Sequence, residues 1–548
     1  REQELAQLGT ALDHLARKRP AVVVVRAPSG MGKSALVQRF FDRVRATHEN
    51  ALLLRGRCLD REDIPYKAID DLIDDLSEWW REQTPRDAQA ILPRDASILP
   101  ALFPVLGRVP AIADAPRTRG VLDPQARRTL AFEALREALQ RLADRRTVVL
   151  FLDDMQWVDR DTTTLLADVM RAPDPPPLLL VLATRADDSE PVEKLVKRMD
   201  AEQMIIELGP LTDEAAVALA KSQLASDDND EAARRLVAEA GGSPLFLIEL
   251  TRYLQSRSLA EIAGKGLDAM LLERIAALGE GARVMAELVA ISGEPITRRV
   301  LATASAVPAA ELTKQLSTLR GQRVLRASGS RNDDTIEPYH DRIREAVLGE
   351  LTPEQRAKHH RTLAIAMAGQ GSASQLARHW YGAGEIDHAA PHARRAGDEA
   401  RNKLDFDLGA RWYAIALEST AWPDEDRRTL RAQYADALHD AGRPREAAEQ
   451  FKAAAEGADA ASRLELHRRA AGALLQSGYV TEGMELTHVV LTGVGLTMPK
   501  SPARALFSML WRRAWLRIRG LGFSPRSVTE MTQAELTRVD VCEGVSFG

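Results

Sequence analysis

The sequence predicts an α/β P-loop domain, a parallel five-stranded sheet with a helical lid, followed by a winged-helix domain and an all-α, tetratricopeptide-like solenoid. Three observations predict it. Apolar, strand-like runs at 21–26, 51–55, 147–152, 178–184 and 204–208 alternate with helical segments, the pattern of a parallel sheet with crossover helices. From about 266 to 350, three helical segments lead into Gln322 to Ala327, a polar turn from Ser328 to Asp334, and Thr335 to Tyr339: helices, then a hairpin. After Pro353 the chain reads as Ala-rich helix with short glycine breaks.

The first strand, Ala21 to Val25 with Arg26, runs into Ala27-Pro28-Ser29-Gly30-Met31-Gly32-Lys33-Ser34 and then a helix-like Ala35 to Phe40. Strand, glycine loop, lysine, hydroxyl and helix in that order form a P-loop. Small residues let successive backbone N–H groups curl around phosphates, and the helix N-terminus adds its dipole. Pro28, Ser29, Gly30, Met31, Gly32 and Ala35 are therefore expected around the phosphates of ATP or ADP. Lys33 would reach the β- and γ-phosphates, and Ser34 would place its hydroxyl on Mg²⁺. Ala27 stands where the first glycine is expected, which costs little if its φ is negative.

The third strand, Val148 to Leu152, ends in Asp153-Asp154, an apolar strand closing on two carboxylates in the Walker B form. Alone, such a pair is as readily a solvated strand end. Beside a P-loop it belongs at the carboxyl edge of the sheet, where ligands of open α/β sheets collect. Asp153 is expected to hold Mg²⁺ through its water shell, and Asp154 to position or deprotonate the attacking water. The fourth strand ends in Thr184-Arg185, and a guanidinium there would sense the γ-phosphate; the alternative is a surface arginine.

The remaining boundaries follow from composition. Residues 1–210 form the ATPase core, with a helical insertion at 58–145 that holds an acidic amphipathic piece, a Pro-containing bend at 100–110 and a long helix from Asp123 to Leu142. Residues 211–265 form the lid, 266–350 the winged helix, and 351–548 the repeats. Ala441 to Ala447 and Ser477 to Gly483 share one layout with their glycines 36 residues apart, and Ala383 to Ala389 is a third copy of the turn. A small-Gly turn between helices at a period near 34 is the tetratricopeptide signature, and stacked pairs offer a partner-binding surface. A generic helical bundle is the alternative. Lys500, Arg504, Arg512, Arg513, Arg517, Arg519 and Arg526 interleave with Trp511, Trp515 and other apolar residues. They read as solvated arginines on an array helix before a membrane-facing or acid-binding segment.

A chain of 548 residues is too long for one core, and a net charge of -5 gives no support for a protein that coats nucleic acid or membrane. Cys58 and Cys542 supply neither a disulfide framework nor zinc-ligand spacing, which suits a cytoplasmic protein. No apolar run reaches transmembrane length and no signal peptide is visible. Opening on Arg1 and closing inside a helical run, Val541 to Gly548, the sequence reads as a fragment of a larger protein.

Several motifs resemble those of STAND-type signalling ATPases, over about residues 1–350 and in that family's order. Arg1-Glu2-Gln3-Glu4-Leu5 is similar to the remainder of a Gly-Arg-Glu-x-Glu box. Asp153-Asp154-Met155-Gln156-Trp157-Val158-Asp159 resembles the bacterial Asp-Asp-x-Gln-Trp-x-Asp form of Walker B. Gly242-Ser243-Pro244 resembles the Gly-x-Pro motif of the lid, and Tyr339-His340-Asp341 the hydrophobic-His-Asp motif that touches the β-phosphate of ADP. The resemblance implies that Arg1, Pro244 and His340 join the nucleotide site and that His340 clamps the winged helix over ADP. ATP, or a protein partner at the repeats, would shift the chain to an open, self-associating form. The preference for ATP over GTP also rests on this resemblance.

More narrowly, Arg55-Gly56-Arg57-Cys58, Ile64-Pro65-Tyr66-Lys67-Ala68, Pro338 to Glu345 and Leu376 to Tyr381 resemble the ATPase and repeat portion of bacterial PknK-type serine/threonine protein kinase fusions. A covalently linked kinase effector is the implication; this chain has no His-Arg-Asp catalytic loop and no Asp-Phe-Gly. Asp154 replaces the Glu of fast AAA+ hydrolases, in keeping with slow hydrolysis and a switch rather than a motor. The competing reading is an ATP-dependent transcriptional activator or an origin-recognition-like DNA-binding ATPase. Against it, Glu311, Lys314 and Arg320 mix signs and the wing carries Asp333 and Asp334, so no basic stripe exists and no nucleic acid is expected. Intact Lys33, Ser34 and Asp153 argue against a dead scaffold.

Overall fold

The computed structural model describes residues 1–58, 66–117, 120, 123–224, 230–254, 266–329, 331–496, 502–520, 522, 531 and 539. Ile64-Pro65, Ser330, Lys500, Arg526, Cys542 and the closing run 541–548, all used above, lie outside them.

Five strands, β1 (Ala21–Arg26), β2 (Ala51–Arg57), β3 (Thr147–Asp153), β4 (Leu179–Thr184) and β5 (Glu202–Glu207), form one parallel sheet in the order β2-β3-β4-β1-β5. The inner strands are nearly continuous apolar runs because helices cover both faces. Edge strand β5 is mostly exposed and correspondingly polar. Arg57, Asp153 and Thr184 end β2, β3 and β4, so the charged and hydroxyl residues gather along the carboxyl edge. On one face the helix Glu2–Ala16 sets Leu5, Leu8, Ala11 and Leu12, spaced by three and four, into the core.

The insertion opens with helix Lys67–Arg81, which buries Ile69, Leu72, Ile73, Leu76 and Trp80. The expected bend resolves into short helical turns, because Pro100, Pro104 and Pro110 each sit in the first turn of a new one. Helix Pro124–Ala143 then returns to the sheet, capped by the Asp123 carboxylate on the Ala126 N–H at 2.8 Å. The lid is three helices, Asp213–Leu224, Asp230–Ala240 and Pro244–Leu254, around a core that includes Leu236, Leu247 and Leu250.

The winged helix follows with helices Leu267–Ala276, Glu280–Ser292, Arg298–Ser305 and Ala309–Gly321 and an antiparallel sheet of β6 (Ile296–Thr297), β8 (Thr335–Pro338) and β7 (Leu325–Ala327), in that order. Strand β6 was not expected: two residues are too few for any periodicity. Helix Asp341–Glu350 completes the domain.

The first compact unit does not stop at residue 350 but takes in the chain up to Ala389 together with Asn402–Leu404. Helices Pro353–Ala366 and Ala373–Gly382, expected to begin the repeats, send Leu363, Ala366 and Leu376 into the winged-helix core. Capping boxes at Thr352/Gln355 and Ser372/Gln375 start both helices. His359 meets Glu287 at 2.9 Å, and Arg378 pairs with Glu294, fixing them to the same core.

In the second unit, residues 390–401 and from Asp405 onward, the elements among the described residues are all helices. Phe406–Leu417, Asp424–Asp440, Pro444–Ala455, Ala460–Gln476 and Val480–Gly493 each pack on the next, as in a tetratricopeptide-like solenoid. The turn glycines Gly442 and Gly478 adopt φ +77° and +82°, a left-handed conformation that closes one helix and starts another without side-chain strain. Helix Pro502–Arg519 exposes its arginines, and Phe507, Trp511 and Trp515 with them. Among the described residues no helix is long and apolar enough to cross a membrane.

Candidate nucleotide site

Past β1 the chain turns through Gly30 and Gly32, at φ +82° and +91°, into the helix Lys33–Thr47. Ala27 lies outside the positive-φ residues, so alanine carries no strain at the position of the missing glycine. The Lys33 ammonium is almost fully buried and donates to the carbonyls of Ala27 at 3.0 Å and Pro28 at 3.4 Å. Burial lowers its pKa, while Asp154 and Asp153 oppose that shift. Next to it the Ser34 hydroxyl donates to Asp153 Oδ2 at 2.5 Å. Two hard oxygens side by side at the head of a P-loop helix suit Mg²⁺, which takes few protein ligands and keeps water and phosphate for the rest. Burial, and then the neighbouring Asp154, raise the Asp153 pKa; the Ser34 bond and the charges of Arg57 and Arg55 pull it down.

Asp154 has φ +55°, unusual for a residue with a β-carbon, which turns its carboxylate away from the line of the strand. Arg57 Nε donates to its Oδ2 at 2.8 Å, and Gln156 Nε2 donates to its Oδ1 at 3.2 Å. Arg57 also reaches the winged helix, where Nη2 meets both Asp341 oxygens at 3.0 and 2.9 Å. Burial pushes the Asp341 pKa up, Arg57 draws it down and Asp154 adds to the rise. Arg185 behaves in the same way: its Nη2 donates to Glu345 Oε1 at 2.5 Å, while its guanidinium lies 5.6 Å from the Trp157 ring centre. Arg342 holds the same Glu345 at 3.2 Å and Asp268 at 2.8 Å.

The lid closes the other side. Leu245, in the first turn of the Pro244–Leu254 helix, donates its N–H to the Gly30 carbonyl at 3.2 Å. A Cβ on Gly30 would lie 2.9 Å from Leu245 Cβ, so P-loop and lid touch at a point where only glycine fits. Gly30→Ala, strained in φ as well as crowded, is expected to lower stability by about 1–3 kcal/mol and to weaken nucleotide binding by pushing the lid helix away. Thermal unfolding with and without ADP checks it; an unchanged midpoint in both would contradict the contact.

His340 precedes helix Asp341–Glu350 with its ring edge-on to Tyr339, centres 4.7 Å apart. Burial lowers its pKa, opposed by Glu249 and reinforced by Arg326, Arg252 and Arg323, so the imidazole stays neutral to lower pH than a free histidine. Ser29, Gly30, Gly32, Lys33, Ser34, Ala35, Asp153, Asp154, Arg185, Pro244 and His340 all line one cleft of about 990 Å³, at the upper end of the range for small-molecule sites.

Three expected residues do not line it. Pro28 offers a carbonyl to Lys33, Met31 packs on the sheet core, and Arg1 Nη2 donates to the backbone oxygens of Gly209 at 2.7 Å and Met31 at 3.4 Å, bracing the loop from outside. Asp341, of the Tyr339-His340-Asp341 motif, lines the cleft too, and Arg57, Arg342, Leu245 and Arg326 line it without having been expected there. Arg57 ends β2 in register with Asp153 at the end of β3, a pairing that only the strand order reveals. Among the described residues no group of three or more His, Cys, Asp or Glu is placed to hold a metal.

Residues 1–181 match the family model described as an AAA ATPase domain. An uncharacterized protein of Rhizobium meliloti (strain 1021) is 25% identical over 431 residues, which cover 74% of this chain and 41% of that protein. The chain thus spans less than half the length of this relative. Among solved structures, a STAND signal-transduction ATPase with a tetratricopeptide-repeat sensor from Pyrococcus horikoshii aligns over 100% of this chain and 80% of its own, at 12% identity and a TM-score of 0.49. The Orc1 protein of Aeropyrum pernix in complex with DNA aligns over 64% of this chain and 92% of its own, at 15% identity and a TM-score of 0.29. A RuvB mutant of Thermotoga maritima aligns over 61% and 92%, at 16% identity and 0.25.

Proposed function

We propose that this chain, whose first 181 residues carry an AAA ATPase domain, is an ATP-binding and slowly ATP-hydrolysing signalling switch of the STAND type. The observation that carries the reading is the make-up of the cleft: the lid gives Pro244 and the winged helix gives His340 and Asp341 to the same wall that holds Lys33, Ser34, Asp153 and Asp154. A site built from three domains lets nucleotide state set how those domains pack.

The residues divide the work as follows. Backbone N–H groups of the P-loop and the Lys33 ammonium bind the phosphates. Ser34 and Asp153 would hold Mg²⁺, whose chemistry is charge neutralisation on the phosphate oxygens. Asp154 orients the water, but with its carboxylate on Arg57 it is restrained, which supports slow turnover. His340, neutral and beside the cleft, donates to a β-phosphate oxygen and holds the winged helix closed over ADP. The helical second unit serves as the sensor for a protein partner, and the ATP state permits self-association. The effector lies outside these residues, with a serine/threonine kinase as the first candidate, and the protein works in the cytoplasm. The wing does not favour DNA: Asp333 is exposed and holds Arg299 at 2.8 Å.

Single-turnover hydrolysis of labelled ATP tests the reading. The expected result is Mg²⁺-dependent turnover on the order of 10⁻³ s⁻¹, the scale of unassisted switch NTPases. Turnover above about 1 s⁻¹ would point to a motor, and failure to bind ATP or ADP would remove the assignment.

A further inference from the structure

We propose that Arg57 is the residue that tells ATP from ADP, by exchanging the winged-helix carboxylate of Asp341 for the γ-phosphate. The proposal rests on the nucleotide-switch reading above and names the part that reads the third phosphate. One guanidinium is shared here between two carboxylates of different domains: Nε on Asp154 at 2.8 Å and Nη2 on Asp341 at 2.9 Å. All three side chains line the cleft that holds Lys33 and Ser34. A structural ion pair between two domains needs one acid and one base. Two acids of different domains share this one guanidinium, with Arg185 also acting on Asp341, and burial raises the cost of keeping Asp341 ionised.

A γ-phosphate enters at the carboxyl edge of the sheet, beside the strand-end carboxylates, whereas the phosphates of ADP stop one unit short, at Lys33. It brings up to two further negative charges to a place where Asp154 and Asp341 already compete. Guanidinium forks bind phosphate at least as well as carboxylate. Arg57 therefore turns to the phosphate, and Asp341 loses its partner and is repelled. The same movement lifts the restraint on Asp154, so the event that releases the winged helix also readies the water-positioning carboxylate. Arg185, on Glu345 of the same helix, gives a second contact of the same kind, which weakens as Asp341–Glu350 moves away. Arg57 is thus a positioning residue for hydrolysis and a specificity residue for binding.

The test is calorimetric titration of the whole chain with Mg·ADP and with Mg·β,γ-imido-ATP, combined with hydrogen exchange over 341–350. In Arg57→Gln, affinity for the imido analogue is expected to fall about tenfold or more while ADP affinity changes less than about threefold. Exchange over 341–350, faster with the analogue than with ADP in the native chain, should become alike with the two nucleotides in the variant. Arg57→Lys, which keeps the charge but cannot fork, should shift both readouts in the same direction and covers the case in which the glutamine variant fails to fold. Equal loss of both nucleotides, or a preserved difference in exchange, would make Arg57 a structural ion pair and overturn the proposal. A native chain that binds neither nucleotide would instead sink the switch reading itself.

Discussion

Lys33→Ala is expected to reduce nucleotide affinity by about 10- to 150-fold, the worth of one hydrogen bond to a charged group at 1.5–3 kcal/mol. The native chain already bears the cost of burying Lys33, a residue 8% exposed whose ammonium donates to carbonyls of its own loop at 3.0 and 3.4 Å. Neutral carbonyl oxygens compensate a desolvated cation poorly; a phosphate oxygen compensates it well, so the lysine is set to favour an anion. Removing it also relieves that burial cost, so the thermal midpoint without nucleotide should stay level or rise slightly. Titration with a fluorescent ADP analogue, paired with thermal unfolding, separates the two effects. Affinity within about threefold of native would take the lysine, and with it the P-loop assignment, out of the site.

Much of the fold is legible because burial leaves a plain trace. The inner strands β1, β3 and β4 are apolar runs since helices cover both faces, and each of the five strands begins or ends within a few residues of the run that announced it. The P-loop and Asp153-Asp154 are legible because phosphate and metal chemistry demand particular residues at particular spacings. What periodicity does not carry is the identity of the surface a helix packs on. Pro353–Ala366 and Ala373–Gly382 show buried faces in the sequence, but only the structure joins those faces to the winged-helix core. Strand order is hidden for the same reason, and β6 is hidden by its length.

The site divides in the same way. Residues held in local motifs are visible, Pro244 and His340 among them, and the ion pairs made across domains are not. Arg57 and Asp341 stand 284 positions apart, and no local pattern pairs them. Arg185 was expected to face a γ-phosphate and is found on Glu345, 160 positions later. Arg1, placed at the nucleotide by its motif, braces the loop through the carbonyls of Met31 and Gly209.

His340→Ala is the second large effect, and it bears on the central claim that the winged helix closes over bound nucleotide. The ring lines the cleft at the start of helix Asp341–Glu350, and its pKa is lowered by burial, so a neutral imidazole faces the cleft. A neutral donor to a charged oxygen in a partly desolvated cleft contributes about 1.5–3 kcal/mol, and its loss appears mainly in the off-rate because P-loop contacts remain. His340→Asn, which keeps an N–H donor on a shorter side chain, should lie between the two. Release of fluorescent ADP chased by excess unlabelled ADP measures it directly. Release should quicken about tenfold or more in His340→Ala, with 341–350 losing its ADP-dependent protection from hydrogen exchange. Unchanged release with protection intact would contradict the claim that the winged helix holds the nucleotide.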